Sequence, residues 1–91
     1  SEMKSLPVTI VNKLGLHARA STRLVNCASG FESEISLVKG TRTVNAKSIM
    51  GVLTLAASMG TELVILADGA DEEEAAAALA ELFADRFGES Q

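Results

Sequence analysis

The side chains most able to do chemistry are those of His17, the single histidine of the chain, and Arg19, two residues later. A neutral imidazole is a nucleophile near pH 7, and a guanidinium keeps its positive charge at every physiological pH. Small and apolar residues then recur at helical spacing, at Ala18, Ser21, Leu24, Val25 and Ala28. This spacing predicts a helix that begins just after His17, so that unpaired N–H groups and a positive dipole end face the imidazole. Both favour an added anion, and the segment therefore predicts a place to hold a phosphoryl group.

The neighbouring segments predict the elements that position this site. Upstream, residues 6–11 alternate apolar and polar side chains like a half-buried strand, and residues 12–15 carry turn chemistry. Downstream, residues 34–39 and 42–45 are two β-rich stretches separated by a Gly-Thr pair, which predicts a hairpin. Ser48 is well placed to be the N-cap of a short helix that follows it.

The last third of the chain predicts one more strand and one more helix. Residues 63–67 form a compact apolar run between turn signals, which is typical of a central strand. Asp71 is expected to cap the final helix, with Glu74 three residues later as a variant of the capping box. That helix is predicted to have one apolar face, made of Ala75, Ala78, Leu79, Leu82, Phe83 and Phe87.

The order of predicted elements is βαββαβα, which indicates the α+β class. On a chain of 91 residues, mixed strands and helices imply one antiparallel or mixed sheet with helices packed on a single face. We expect a single domain at residues 3–88, with Ser1 and Glu2 as a remnant of cloning ahead of Met3. A domain of this size buries roughly 60% of its unfolded surface, so a deep enclosed cleft is not expected.

The composition excludes several classes of protein. Hydrophobic residues make up 47% and charged residues 22% of the chain, which is typical of a globular protein rather than a disordered one. No apolar run is long enough to span a membrane, and the start of the chain lacks the pattern of a secretory signal. We therefore expect a cytosolic protein that does not insert into a membrane. The lone Cys27 cannot form an internal disulfide and is interpreted as a small core residue.

Charge is distributed unevenly along the chain. Residues 1–55 carry a net charge of +4 and residues 56–91 a net charge of −8, and no acidic residue lies between Met3 and Phe31. The basic side chains near the histidine predict an acidic partner surface; they are Lys4, Lys13, Arg19 and Arg23. Nucleic acid is not expected as a partner, because the total charge is negative and the chain has no Tyr or Trp.

Two motifs resemble those of a known family, the histidine-containing phosphocarrier proteins of the bacterial phosphoenolpyruvate-dependent phosphotransferase system, HPr and its nitrogen-branch paralogue. They are Gly15-Leu16-His17-Ala18-Arg19 and Lys47-Ser48-Ile49-Met50-Gly51. The likeness covers nearly the whole chain from Met3 onwards. It implies an open-faced β-sandwich, in which a four-stranded antiparallel sheet carries three helices on one face.

The resemblance also implies roles for individual residues. Nδ1 of His17 would accept a phosphoryl group from enzyme I and pass it to an EIIA protein or domain, with Arg19 as its electrostatic partner. The protein would be a stoichiometric carrier rather than an enzyme, without metal or other cofactor, and we expect a monomer. Candidate partner contacts are Leu16, Arg23, Lys47, Ile49, Met50 and Leu53. The plainer alternatives are solvent-facing charges for the two arginines and an ordinary core position for Leu53.

Two positions need separate interpretation. Ser48 matches the position at which many family members are phosphorylated by a dedicated serine kinase; the alternative is a serine that only caps its helix. The family motif has proline three residues after the histidine, where this chain has Ala20. That position lies in the first helical turn, where proline is tolerated because its missing N–H would have no intrahelical partner. We therefore expect phosphoryl acceptance to survive.

A second class of function stays open from the sequence. The same domain could be a regulatory docking module that binds partner enzymes without obligatory phosphoryl transfer, and acid-labile phosphate on His17 would discriminate the two. A metal-binding or hydrolytic enzyme is disfavoured, because the chain has one histidine and one cysteine and no second activating group near His17 in sequence.

Overall fold

The computed structural model describes residues 3–91, which contain four strands and three helices in the predicted order. Ser1 and Glu2, the expected cloning remnant, lie outside the described residues. The elements are β1 (Lys4–Thr9), α1 (Ala18–Ser29), β2 (Glu34–Lys39), β3 (Arg42–Asn45), α2 (Ile49–Leu53), β4 (Glu62–Asp68), α3 (Glu72–Ala84) and a final 3-10 turn (Arg86–Gly88).

The four strands form one antiparallel sheet in the order β1-β4-β2-β3, so β4 is a central strand, as predicted. Leu6 of β1 and Leu37 of β2 both lie opposite Ile65 of β4, one on each side. This register aligns apolar side chains on one face, because successive side chains of a strand point to opposite faces. Only that face carries fully buried side chains, and the predicted open-faced sandwich is confirmed.

The helices close the core over the buried face of the sheet. Helix α3 packs on β1 and β4, and α1 packs on α2 and α3. Leu24 of α1 and Phe83 of α3 are almost completely buried, and each such side chain contributes about 1.5–3 kcal/mol of transfer free energy. Cys27 is half-buried against this core, and burial raises the pKa of its thiol. No helix within residues 3–91 has the length and apolar character needed to cross a membrane.

Strand β1 lies two residues earlier than the sequence predicts. It ends at Thr9, and the following Ile10 leaves the regular ladder. The amide of Ile10 still donates to the carbonyl of Thr61 at 2.9 Å, and its carbonyl accepts from the amide of Gly60 at 2.7 Å. The Ile10 side chain is fully buried. Apolar alternation therefore continues past the end of the strand, which is why the pattern predicts a later boundary.

The capping-box prediction for α3 is wrong. Asp71 is the N-cap residue, but its side chain makes no cap hydrogen bond. The carboxylate instead accepts hydrogen bonds from the amides of Glu32 and Ser33, at 2.9 and 3.0 Å, and from the Ser33 hydroxyl at 2.5 Å. The hydrogen bonds from Ser33 and Glu32 lower the pKa of Asp71. Asp71 thus ties the start of α3 to the loop before β2.

Phe87 does not belong to α3 as its spacing predicts, because the helix ends before it. It lies in the 3-10 turn, where φ is 56° at Arg86, 54° at Phe87 and 78° at Gly88. A left-handed backbone costs roughly 1–2 kcal/mol at each residue that is not glycine. Phe87 is nevertheless only 1% exposed, and its ring packs edge-on against Phe83 with centroids 5.0 Å apart. Burial of this ring offsets the strain of the turn.

Candidate functional site

His17 is the N-cap residue of α1, so the helix begins where the sequence predicts. Its backbone is extended, with φ −74° and ψ −180°, and its carbonyl accepts the first helical hydrogen bond from the amide of Ser21 at 2.9 Å. The imidazole makes no cap hydrogen bond to the helix. The first N–H groups of the helix, including that of Ala20, therefore lie beside the ring and are available to an anion.

The loop before His17 packs against a second loop, which follows α2. Gly15 has a φ of +64°, and a Cβ atom there would lie 2.5 Å from the Ala57 carbonyl oxygen and 2.9 Å from Cα of Ser58. The amide of the next residue, Leu16, donates to the same Ala57 oxygen at 2.9 Å. Glycine is thus required by conformation and by space, and the close approach fixes the backbone that leads into His17.

The imidazole of His17 contacts a carboxylate from the end of the chain. His17 Nε2 lies 2.5 Å from Oε2 of Glu89, and the two side chains are 28% and 13% exposed. The other carboxylate oxygen of Glu89 accepts a hydrogen bond at 3.1 Å from Nδ2 of Asn12, whose side chain is buried. Nδ2 of Asn12 also donates to the Gly15 carbonyl at 2.8 Å. Residues 12 and 89 thus meet at the histidine although they lie at opposite ends of the chain.

The ionisation of Glu89 decides which nitrogen of His17 carries the proton. Burial on its own would raise the pKa of Glu89, but hydrogen bonds from Asn12 and His17 and the charges of His17 and Arg23 lower it overall. The carboxylate is therefore ionised at neutral pH and can only accept hydrogen bonds. In the neutral ring, the proton must then lie on Nε2, which leaves the lone pair of Nδ1 free to act as a nucleophile.

His17 lines a surface cleft of about 590 Å³. Lys13 and Arg19 line this cleft, and residues 90 and 91 of the tail form part of its wall. Both basic side chains belong to exposed residues, so they can reorient towards a bound anion. The structure thus brings His17 and Arg19 together, as predicted, in a cleft that is lined by two basic side chains and by the Glu89 carboxylate.

Comparison with known proteins agrees with this geometry. A family model described as "PTS HPr component phosphorylation site" matches residues 4–85. The chain belongs to the HPr family. It is 52% identical over 83 residues to phosphocarrier protein HPr of Cupriavidus necator, a match that covers 91% of this chain and 93% of that protein. It is 43% identical to phosphocarrier protein NPr of Shewanella violacea, and the match covers 91% of each.

Solved structures of HPr proteins share the fold. The crystal structure of HPr-C-His from Thermoanaerobacter tengcongensis superposes with a TM-score of 0.93 at 45% identity, covering 97% of this chain and 99% of that one. The swapped dimer of Crh, a catabolite repression protein of Bacillus subtilis, superposes with a TM-score of 0.74 at 44% identity, covering 81% of this chain and 85% of that one. The HPr fold is thus present over nearly the full length of the chain.

In this HPr-family chain, Arg23 is engaged internally. Its guanidinium donates a hydrogen bond to the Phe87 carbonyl oxygen, which ties α1 to the 3-10 turn. Sequence analysis leaves two roles open for Arg23, contact with a partner or exposure to solvent. The structure adds a third role, because Arg23 binds the turn that follows α3. The turn that Arg23 holds is the one that delivers Glu89 to His17.

The second motif forms a capped helix with an exposed apolar end. The Ser48 hydroxyl oxygen accepts a hydrogen bond from the amide of Gly51 at 3.2 Å, so Ser48 is the N-cap of α2, as predicted. Ile49 is 36% and Met50 is 67% exposed, and Lys47 Nζ donates to the carbonyl of Phe31 at 2.7 Å. The chain therefore presents an apolar patch, which we define as Ile49 and Met50, beside the Ser48 hydroxyl.

The remaining predicted contact residues are less accessible than this apolar patch. Leu16 is 4% exposed and packs in the core, and Leu53 is half-buried. Leu14, which the sequence analysis does not single out, is 68% exposed and lines the cleft beside His17. At this end of the molecule the exposed leucine is therefore Leu14 and not Leu16.

Sequence analysis misses two residues of the site, Asn12 and Glu89. The sequence predicts a turn at Asn12, and nothing in the spacing of its neighbours indicates that its side chain is buried beside His17. Glu89 lies one residue beyond the predicted domain, with 71 residues between it and the histidine it contacts. The signal that could have revealed it is Phe87, an apolar residue past the end of α3 that must draw the tail onto the core.

Proposed function

We propose that this HPr-family chain is a phosphoryl carrier of the phosphoenolpyruvate-dependent phosphotransferase system. His17 accepts the phosphoryl group from phosphorylated enzyme I and passes it to an EIIA protein or domain. One observation carries the proposal: His17 caps the N-terminus of α1 with Nε2 bound to Glu89, so that Nδ1 is the free nucleophile. The chain acts stoichiometrically, as a carrier and not as an enzyme.

The transfer needs only positioning and charge balance from this chain. The lone pair of Nδ1 attacks the phosphorus of the donor's phosphohistidine, a new N–P bond forms, and the donor's N–P bond breaks in line with it. Helix N–H groups and Arg19 balance the charge of the phosphoryl group. An open cleft suits this task, because the group must reach His17 from one protein and leave to another.

Docking of both partners is proposed at the basic and apolar surface around the two motifs. Arg19 and Lys13 offer positive charge to an acidic partner, and the apolar patch of Ile49 and Met50 offers area that becomes buried on contact. The proposal places the carrier in the cytosol as a monomer, with neither nucleic acid nor membrane as a partner.

Ser48 is proposed as a regulatory phosphorylation site for a serine kinase, reversed by a phosphorylase. A phosphate there would still lie at the N-terminus of α2, where the helix end tolerates an anion. It would add about −1.5 to −2 units of charge beside the apolar patch and repel an acidic partner. Regulation would thus act on docking and leave the fold intact.

A docking module without obligatory phosphoryl transfer is the second candidate. The exposed apolar patch beside the capped Ser48 favours it, because this surface can bind a partner whether or not His17 is phosphorylated. The likeness to Crh, the catabolite repression protein of Bacillus subtilis, points the same way.

Phosphorylation by enzyme I separates the two candidates. The chain would be incubated with phosphoenolpyruvate, magnesium and enzyme I, and its intact mass and the acid lability of its phosphate would be followed. We expect one acid-labile phosphate on the native chain and none on His17→Ala, which should keep its circular dichroism spectrum. If the native chain gains no phosphate while a control carrier does, the docking module is the better description.

A further inference from the structure

The three methionines of this chain are all exposed at the surface. Met50 is 67%, Met59 is 58% and Met3 is 53% exposed. Methionine is ordinarily an adaptable filler of hydrophobic cores, where packing shields its sulfur from solvent. Here none of the three belongs to the core. Their thioethers are therefore open to dissolved oxidants such as peroxides.

One of these methionines belongs to the proposed docking surface. Met50 lies in the first turn of α2 and forms the apolar patch with Ile49, whereas Val52 of the same helix is fully buried. Met59 lies in the loop before β4, and Met3 precedes β1. Met50 is also more exposed than Ile49, at 67% against 36%, so it supplies more of the area that a partner would cover. An oxidant that reaches all three thioethers thus alters the apolar patch only through Met50.

We propose that Met50 is an oxidation site at which a peroxide weakens the docking of phosphoryl donors and acceptors. The proposal rests on the proposed function, because it takes the apolar patch as the surface that both partners cover. Oxidation converts a flexible apolar side chain into a polar, chiral sulfoxide. An apolar partner surface offers the sulfoxide oxygen no hydrogen-bond donor, and a polar group buried without a donor is unfavourable. The oxidised chain keeps His17 intact and loses docking affinity.

One molecule of hydrogen peroxide balances the oxidation. A lone pair of the Met50 sulfur attacks one peroxide oxygen, a sulfur–oxygen bond forms and the oxygen–oxygen bond breaks. The departing hydroxide takes the proton of the transferred oxygen and leaves as water. Sulfur loses two electrons, and the peroxide gains them. Methionine sulfoxide reductases, one for each epimer, return the thioether with two electrons and two protons and release water.

Cys27 is the competing site of oxidation. It is the single cysteine of the chain, and it is half-buried against the core. Burial raises the pKa of its thiol, which lowers the fraction of reactive thiolate at neutral pH. Cys27 lies on α1, outside the apolar patch. Variants at the methionines leave this thiol in place and therefore separate its oxidation from that of Met50.

The test treats the native chain, Met50→Leu and Met59→Leu with hydrogen peroxide, removes the peroxide, and compares each chain with its own untreated sample. Leucine keeps an apolar side chain of similar volume but cannot form a sulfoxide. Met59→Leu is the matched control, because Met59 is similarly exposed and lies outside the apolar patch. KM and kcat are measured for transfer from phosphorylated enzyme I, and peptide mass mapping locates the added oxygen.

We expect oxidation to raise KM about tenfold in the native chain and in Met59→Leu, with kcat unchanged. A tenfold change corresponds to about 1.4 kcal/mol of binding free energy. The KM of Met50→Leu should not respond to peroxide. Treatment of the oxidised native chain with both reductases should restore its KM. The circular dichroism spectrum should stay the same, because Met50 lies outside the core.

Three results would overturn the proposal. If oxygen is added at Met59 but not at Met50, the Met50 thioether is not an accessible site of oxidation. If Met50 carries the sulfoxide and KM does not rise, the modification does not act on docking. If oxidation raises the KM of Met50→Leu as much as that of the native chain, another residue is responsible. Failure of the proposed function looks different, because the untreated native chain would then take no phosphate from active enzyme I, and the proposal would fall with it.

Discussion

Substitution of Gly15 by alanine tests how closely the loop before His17 packs against Ala57. The φ of +64° costs alanine roughly 1–2 kcal/mol. Its Cβ would also lie 2.5 Å from the Ala57 carbonyl oxygen, and relief of such overpacking costs typically about 1–3 kcal/mol. We expect Gly15→Ala to lower the free energy of unfolding by about 3 kcal/mol. Because a domain of this size loses about 4–8 °C per kcal/mol, Tm should fall by about 12–24 °C.

Gly60 provides the matched control for this prediction. Its φ is +89°, but a Cβ there would meet nothing within 4 Å, so Gly60→Ala should lose only the conformational part, about 1–2 kcal/mol. Urea denaturation of both variants, followed by circular dichroism, gives the two free energies. If Gly15→Ala is destabilised no more than Gly60→Ala, the close approach to Ala57 does not constrain the loop and the argument for Gly15 is refuted.

Three other substitutions test separate contacts. Asp71→Asn should lower Tm more at pH 7 than near pH 3, because a carboxyl group whose pKa is lowered by folding stabilises the fold above its unfolded pKa and loses that effect as pH falls through its folded pKa; equal losses in melts at both pH values would contradict this. Ser48→Ala should cost about 1 kcal/mol in urea denaturation through loss of the α2 cap, with His17 phosphorylation unchanged; a slower transfer would place Ser48 in the site. Phe87→Ala should cost about 3–5 kcal/mol and release Glu89 from His17; a native ring N–H signal in NMR would show that the turn is not what holds Glu89.

The parts of the fold that sequence analysis predicts correctly are those with local causes. The start of α1 at His17 follows from the helical spacing of the residues after it. The start of α2 follows from Ser48, whose hydroxyl finds its partner three residues away. Helix periodicity, strand alternation and N-caps each depend on residues that are close in sequence. The local sequence is therefore enough to predict where these elements begin.

The predictions that fail depend on partners far along the chain. Local rules predict that the Asp71 side chain caps α3. Its carboxylate instead accepts a hydrogen bond from Ser33, which lies 38 residues away. Phe87 continues the helical spacing of α3, but the backbone at Arg86 and Phe87 is left-handed. The Phe87 side chain is therefore buried in the core from a turn and not from the helix. The pairing of Asn12 with Glu89 spans 77 residues. No local pattern encodes such contacts, because they exist only once the sheet has brought the ends of the chain together.

The pairing of β1 with β4 also sets the order in which the protein can be completed on the ribosome. About fifty residues separate the two strands, and synthesis at roughly 5–20 residues per second leaves β1 without its neighbour for about 3–10 s. The 72-residue step from His17 to Glu89 takes about 4–14 s at the same rate. A nascent chain thus displays its histidine well before the carboxylate that contacts it. The arrangement around His17 is complete only when the final turn has emerged.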